Sequence, residues 1–249
     1  MFGKKRGLFS DSRMPLGDSD PQFVELFSRF AYDEVIREPK ANHPDLTDPV
    51  RSMAILAALM GESAVDEFEV MLPVALESGV TPVQVKEIVY QGTAYLGMGR
   101  VLPFLHTVND YLQDKDVPMP LEPQGTVTPE TRLEAGETKQ AELFGEKMRN
   151  RARSGPEDTR HIDRWLADNC FGDYYTRKGL DARWREMITF CFLVSQGGCD
   201  PQATAHAAAN MRVGNEKGFL IAVVSQILPY IGYPRSLNAI ACIRAACEA

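Results

Sequence analysis

Arg51-Ser-Met-Ala-Ile-Leu56 and Arg185-Glu-Met-Ile-Thr-Phe190 open two stretches of this chain that read as copies of one another. After the first come Met71, Gly79, Gln91, Tyr95, Gly97 and Arg100. After the second come His206, Gly214, Gln226, Tyr230, Gly232 and Arg235. Equivalent residues lie 135 positions apart from Met71/His206 to Arg100/Arg235 and 134 apart at the opening arginines, so one small insertion intervenes. A long-period repeat means a duplicated structural unit. Only the second copy carries a histidine where the first has methionine, and that difference marks the second copy as the working half.

Helical punctuation runs through both copies. Phe23, Leu26, Phe27 and Phe30 recur at three- and four-residue steps. Asp48-Pro49 reads as a cap followed by proline in the first turn, Asp66 can open the next helix, and Pro73 should bend or shorten it. Gly79 suits a helix end, and Thr81-Pro82 with Gln84 reads as a capping box that starts a helix carrying Val85, Ile88 and Val89 inward. No run shows convincing strand alternation. The fold expected is all-α, with residues 1–20 a flexible tail, 21–113 the first unit, 114–137 a linker rich in Pro, Glu, Thr and Gly, and 138–249 the second unit. Arg149 to Arg160 is a charged stretch expected to form a loop or an exposed helix.

Bulk properties narrow the function. The 249 residues, 44% of them hydrophobic, suffice for one large or two smaller cores. A net charge of −7 argues against nucleic acid or an anionic membrane as partner, because no sustained basic face offsets phosphate repulsion. Lys4-Lys5-Arg6 is short and reads as part of the loose tail. No stretch approaches the roughly 20 apolar residues that span a bilayer. The five cysteines form no even framework, which points to reduced thiols and a cytoplasmic setting.

The most informative segment is Gly197-Gly-Cys199-Asp200-Pro201-Gln202-Ala-Thr-Ala-His206-Ala-Ala-Ala-Asn210. Gly197-Gly198 ends one helix, and Asp200 is expected to cap the next with Pro201 at its first position. Gln202, His206 and Asn210 fall at four-residue steps on one helix face, a polar stripe among alanines. Cys199 precedes that helix, where its positive end favours a thiolate. The plainer readings are a structural histidine and a small buried cysteine. A second cluster holds Gln226, Tyr230, Arg235 and Asn238. Arg235 is the candidate carboxylate holder, Pro229 implies a kink before Tyr230, and the repeated Tyr-x-Gly can simply make a helix corner.

Together these words resemble the carboxymuconolactone decarboxylase family, which includes alkylhydroperoxidase-D-like proteins. In the second copy the likeness runs from about Arg183 to Ala241 and in the first from about Asp48 to Tyr111. The resemblance implies an all-α chain of two alkylhydroperoxidase-D-like units and assembly into rings of about six units, hence a homo-trimer of a tandem chain. It also implies one of two chemistries. The decarboxylase type acts without metal or cofactor on a small lactone acid. The peroxidase type is a peroxiredoxin-like antioxidant using Cys-x-x-Cys with a downstream His and an upstream Glu. Here Cys199 and His206 match the first Cys and the His, Gln202 stands at the second Cys, and Glu186 lies near the upstream Glu without clean register. The first copy has Ala64, Glu67 and Met71 at the three spaced positions.

The favoured expectation is a cofactor-free decarboxylase or lyase acting on a small organic acid or lactone. His206 would be acid/base. Arg235 would hold a carboxylate, with Gln202, Tyr230 and Gln226 orienting substrate and Asn238 in support. The alternatives are thiol-dependent peroxide reduction at Cys199, with His206 and Glu186, and a non-catalytic assembly or binding module.

Overall fold

Local signals place the helices first. A computed structural model describes residues 16–248. The Lys4-Lys5-Arg6 run and most of the expected tail lie outside the described residues, and Leu16–Ser19 forms a short helix. Among the described residues the architecture is helical with no strand. Helix α1 (Pro21–Arg29) runs into a π-helical stretch, Phe30–Glu34. Then come α2 (Asp48–Glu62), α3 (Val65–Ser78), α4 (Pro82–Leu96) and α5 (Met98–Asp114). Thr81 and Gln84 form the expected capping box: Gln84 N–H donates to Thr81 Oγ1 at 3.2 Å and Thr81 N–H to Gln84 Oε1 at 2.8 Å. Pro73 sits inside α3 without shortening it.

The second copy repeats this order. Helix α6 (Arg132–Phe144) precedes it, and Arg160–Trp165 leads into another π-helical stretch, Leu166–Tyr174. Then follow α7 (Ala182–Gln196), α8 (Asp200–Arg212) and α9 (Lys217–Glu248). The break in α9 is at Gly232, with φ 76° and ψ 167°, rather than at Pro229. It matches Gly97 between α4 and α5, so the repeated Tyr-x-Gly makes a corner in both copies. Two sequence expectations shift and a third holds. Helix α6 begins at Arg132, inside the expected linker, because it packs against the π-helical stretch of the second copy. Arg149 to Arg160 holds one short helix, Arg151–Ser154. Asp200 is the first residue of α8 with Cys199 at the cap, and its side chain makes no capping hydrogen bond.

Helices α2 and α7 are the buried centre. Positions 50–61 of α2 and 185–195 of α7 are buried throughout. The two helices cross against each other, α2 packs on α9 and α7 packs on α4, so each central helix is wrapped by the third helix of the opposite copy. Two reciprocal hydrogen bonds seal the exchange: Arg51 Nε donates to Gln226 Oε1 at 2.9 Å, and Arg185 Nη1 donates to Gln91 Oε1 at 2.7 Å. One core therefore spans both copies.

The crossing is closest at Gly61, where a Cβ would stand 2.6 Å from Ser195 Cβ and 3.0 Å from the Phe192 carbonyl oxygen. Ser195 is the repeat equivalent of Gly61, so the close point lies where the two copies mirror each other. Gly61→Ala gains helix propensity worth up to about 1 kcal/mol but overpacks a dense core at about 1–3 kcal/mol. The expected result is a net destabilisation of about 1–2 kcal/mol by denaturant unfolding. Adding Ser195→Gly should cost less in that background than in the wild type. Unchanged or increased stability of Gly61→Ala would contradict the packing argument.

Candidate functional site

The stripe on α8 resolves into three different roles. Gln202 is exposed, His206 is 7% exposed, and Asn210 is fully buried. Asn210 is a brace: its Nδ2 donates to the carbonyls of Glu186 at 2.9 Å and His206 at 2.8 Å, and its Oδ1 accepts from Asn215 at 2.7 Å. This amide fixes α8 against α7 and sets the distance between Glu186 and His206.

His206 Nδ1 lies 2.8 Å from Glu186 Oε2. The carboxylate orients the ring and holds its proton on Nδ1 in the neutral form, which leaves Nε2 as the nitrogen available to a ligand. Phe144 and Tyr95 meet the imidazole edge-on, with ring centroids 5.1 and 5.6 Å away. Glu186 is wholly buried, and its Oε1 has no hydrogen-bond partner. An unpartnered carboxylate oxygen is costly inside a protein, and such groups concentrate at functional sites.

His206, Cys199 and Gln202 line one cavity of about 890 Å³, with Glu186 behind the histidine. Tyr95, the last-turn tyrosine of the first copy, forms part of the wall, so the pocket is built by both copies. Its hydroxyl donates to that of Tyr175 at 3.0 Å, which lies 2.8 Å from Thr189 Oγ1. Thr189 in turn accepts from Gln91 at 2.7 Å. Burial, with the Cys170 thiol and the Glu186 charge adding to it, pushes Tyr95 and Tyr175 well above the ordinary phenol range. They act as neutral hydrogen-bonding groups. Cys170 also lines the cavity. Burial raises its thiol to about 12, and its S–H donates to the Tyr95 hydroxyl at 3.6 Å. Cys199 is half-buried, and its S–H donates to the Gly197 carbonyl at 3.4 Å.

The second expected cluster lies away from this pocket. Gln226 locks Arg51 and donates to the Ala41 carbonyl at 2.6 Å. Tyr230 packs edge-on to Phe27, 6.0 Å between centroids. Arg235 is ion-paired with Glu62 of the first copy, a partner no spacing rule pairs with it. Asn238 is exposed. The cations at the His206 cavity are instead Arg212, Lys147 and Arg151, the last paired with Asp163 at 3.0 Å. Sequence reading missed them because their meeting depends on how α6 folds back over α8. In the first copy the equivalent of His206, Met71, is buried in the core.

The carboxymuconolactone decarboxylase family model matches residues 21–109 and 161–245, more than half of the chain and both copies. A 4-carboxymuconolactone decarboxylase from Acinetobacter baylyi is 27% identical over 99 residues, covering 40% of this chain and 70% of that protein.

The thiol environments carry a measurable consequence. A raised thiol pKa keeps the reactive thiolate scarce until the pH approaches it. Cys170 and Cys191, both pushed up by burial, should stay unlabelled by iodoacetamide at about pH 8.5 in the folded protein. The exposed Cys247 should react readily. Mass spectrometry reads each site, and labelling of Cys170 as fast as Cys247 would contradict the closed environment described.

Proposed function

The chain belongs to the carboxymuconolactone decarboxylase family, and from that membership we propose that it catalyses cofactor-free, lyase-type decarboxylation of a small lactone acid or related organic acid. The observation that carries the proposal is the His206–Glu186 pair, one nitrogen held at 2.8 Å by a buried carboxylate and the other left for the cavity. The cations at the cavity suit an anionic substrate. Arg212 and Lys147, rather than Arg235, are the groups proposed to attract its carboxylate. Gln202 would add an orienting hydrogen bond.

In the proposed step the bond between the departing carboxylate and its carbon breaks, and its electron pair passes into the conjugated lactone carbonyl as an enolate. His206, protonated, delivers its Nε2 proton to the carbanionic carbon, so carboxylate plus proton becomes a C–H bond and CO₂. Glu186 stabilises the imidazolium before transfer and keeps the proton on Nδ1 after it. The apolar walls from Phe144, Phe171 and Leu193 disfavour the charged ground state more than the charge-dispersed transition state.

A second reading, thiol-dependent peroxide reduction, rests on Cys199 lining the same cavity as His206. Gln202 at the position of a second cysteine leaves that thiol without an adjacent resolving partner. The two readings separate in one assay. CO₂ release from a panel of lactone acids should fall about 10²–10⁴-fold in His206→Gln and remain within a few-fold of wild type in Cys199→Ser. Activity toward peroxide lost with Cys199→Ser, and no CO₂ release from any lactone acid, would favour the thiol reading.

We propose further that the chain assembles as a homo-trimer. Met98 and Leu102 of the first copy and their equivalents Tyr233 and Leu237 of the second are all exposed large apolar residues, from 43% to 63%. The same positions exposed twice suit one repeated contact around a ring. Light scattering after gel filtration should give three times the chain mass, and Leu102→Glu with Leu237→Glu should dissociate it. A monomeric wild type would contradict the assembly.

A further inference from the structure

A second cavity, of about 550 Å³, lies under the linker on the outer side of α4, lined by Lys86, Tyr90, Asn109, Leu121 and Arg177 among others. Its charges are unbalanced. Arg177 and Arg185 share a single carboxylate, Glu87: Arg177 Nε stands 3.0 Å from both oxygens, and Arg185 Nη2 donates to Oε2 at 2.9 Å. Lys86 is 7% exposed and has no carboxylate within ion-pairing distance among the described residues. Its Nζ donates to Asn109 Oδ1, a neutral acceptor. The ammonium and the Arg177 guanidinium both sit at the Tyr90 ring, 6.0 and 5.3 Å from its centroid. Burial lowers the Lys86 pKa, the expected cost of an ammonium removed from water without a counter-charge.

We propose that this cavity binds a small organic carboxylate, held between Lys86 and Arg177 with its apolar body against Tyr90 and the linker residues. A carboxylate supplies the counter-charge that Lys86 lacks and can accept from Arg177, whose Nη1 makes no hydrogen bond among the described residues. A monoanion with an apolar body fits better than phosphate, because Glu87 inside and the exposed Glu122 at the rim limit the positive excess, and Val83, Pro120 and Leu121 contribute apolar wall. Lys86 is particular to the first copy, since its equivalent in the second is Ile221, and Arg177 reaches the cavity from the second copy. This cavity is separate from the His206 cavity, with no lining residue in common.

Isothermal titration of the full chain with benzoate tests this. Wild type should bind benzoate saturably, and Lys86→Met should weaken binding at least about tenfold. Asn109→Asp supplies an internal carboxylate beside Lys86. It should raise the melting temperature and also weaken benzoate binding. Arg212→Ala, in the other cavity, should leave it unchanged. Absence of saturable binding to wild type overturns the proposal. So does binding that survives Lys86→Met and Asn109→Asp but is lost with Arg212→Ala. Inorganic phosphate is the competing oxyanion, and Lys86-dependent binding of phosphate tighter than benzoate would overturn the carboxylate class.

Discussion

The reciprocal burial of two arginines holds this molecule together. Arg185 is fully buried, and each part of its guanidinium has an acceptor: Leu180 O for Nε, Gln91 Oε1 for Nη1, and Glu87 Oε2 with the carbonyls of Arg177 and Lys178 for Nη2. A charge this deep survives only when it is satisfied in full, and the acceptors come from both copies. Arg51 makes the mirrored demand on Gln226, Asp48 and Asn42. Neither copy can satisfy its own central arginine alone, so the duplicated units fold as one core.

That constraint also builds the pocket. Gln91, while accepting from Arg185, donates to Thr189, which contacts Tyr175, which contacts Tyr95 at the edge of His206. The hydrogen bonds that join the copies therefore continue into the wall of the cavity, and the first copy, with Met71 where the second has His206, supplies Tyr95. The two cavities lie at opposite ends of this chain of contacts, since Glu87, the carboxylate of Arg185, lines the other one.

Much of this was legible in the sequence, for local reasons. Gly79, Thr81-Pro82-Gln84 and Gly197 act through their own turns, so helix ends could be read directly. The repeat, the family and the all-helical class followed from spacing. His206, Cys199 and Gln202 were placed together because they belong to one helix and its entry. Glu186 looked out of register, yet it meets His206, because Asn210 sets the approach of two helices that spacing alone does not fix. Arg235 is ion-paired with Glu62, 173 residues earlier, and is not among the residues lining the His206 cavity. Gly136 was read as linker, whereas its missing Cβ lets α6 press against the Ala167 carbonyl. The misses at Glu186, Arg235 and Gly136 are all long-range contacts.

The proposed chemistry rests on one buried imidazole per chain, His206. The most direct measurement is carbethoxylation with diethyl pyrocarbonate, mapping each histidine by mass spectrometry as lactone-acid decarboxylation is lost. Activity should fall in proportion to modification of His206 and independently of His43, His106 and His161. Full activity with His206 modified would contradict it.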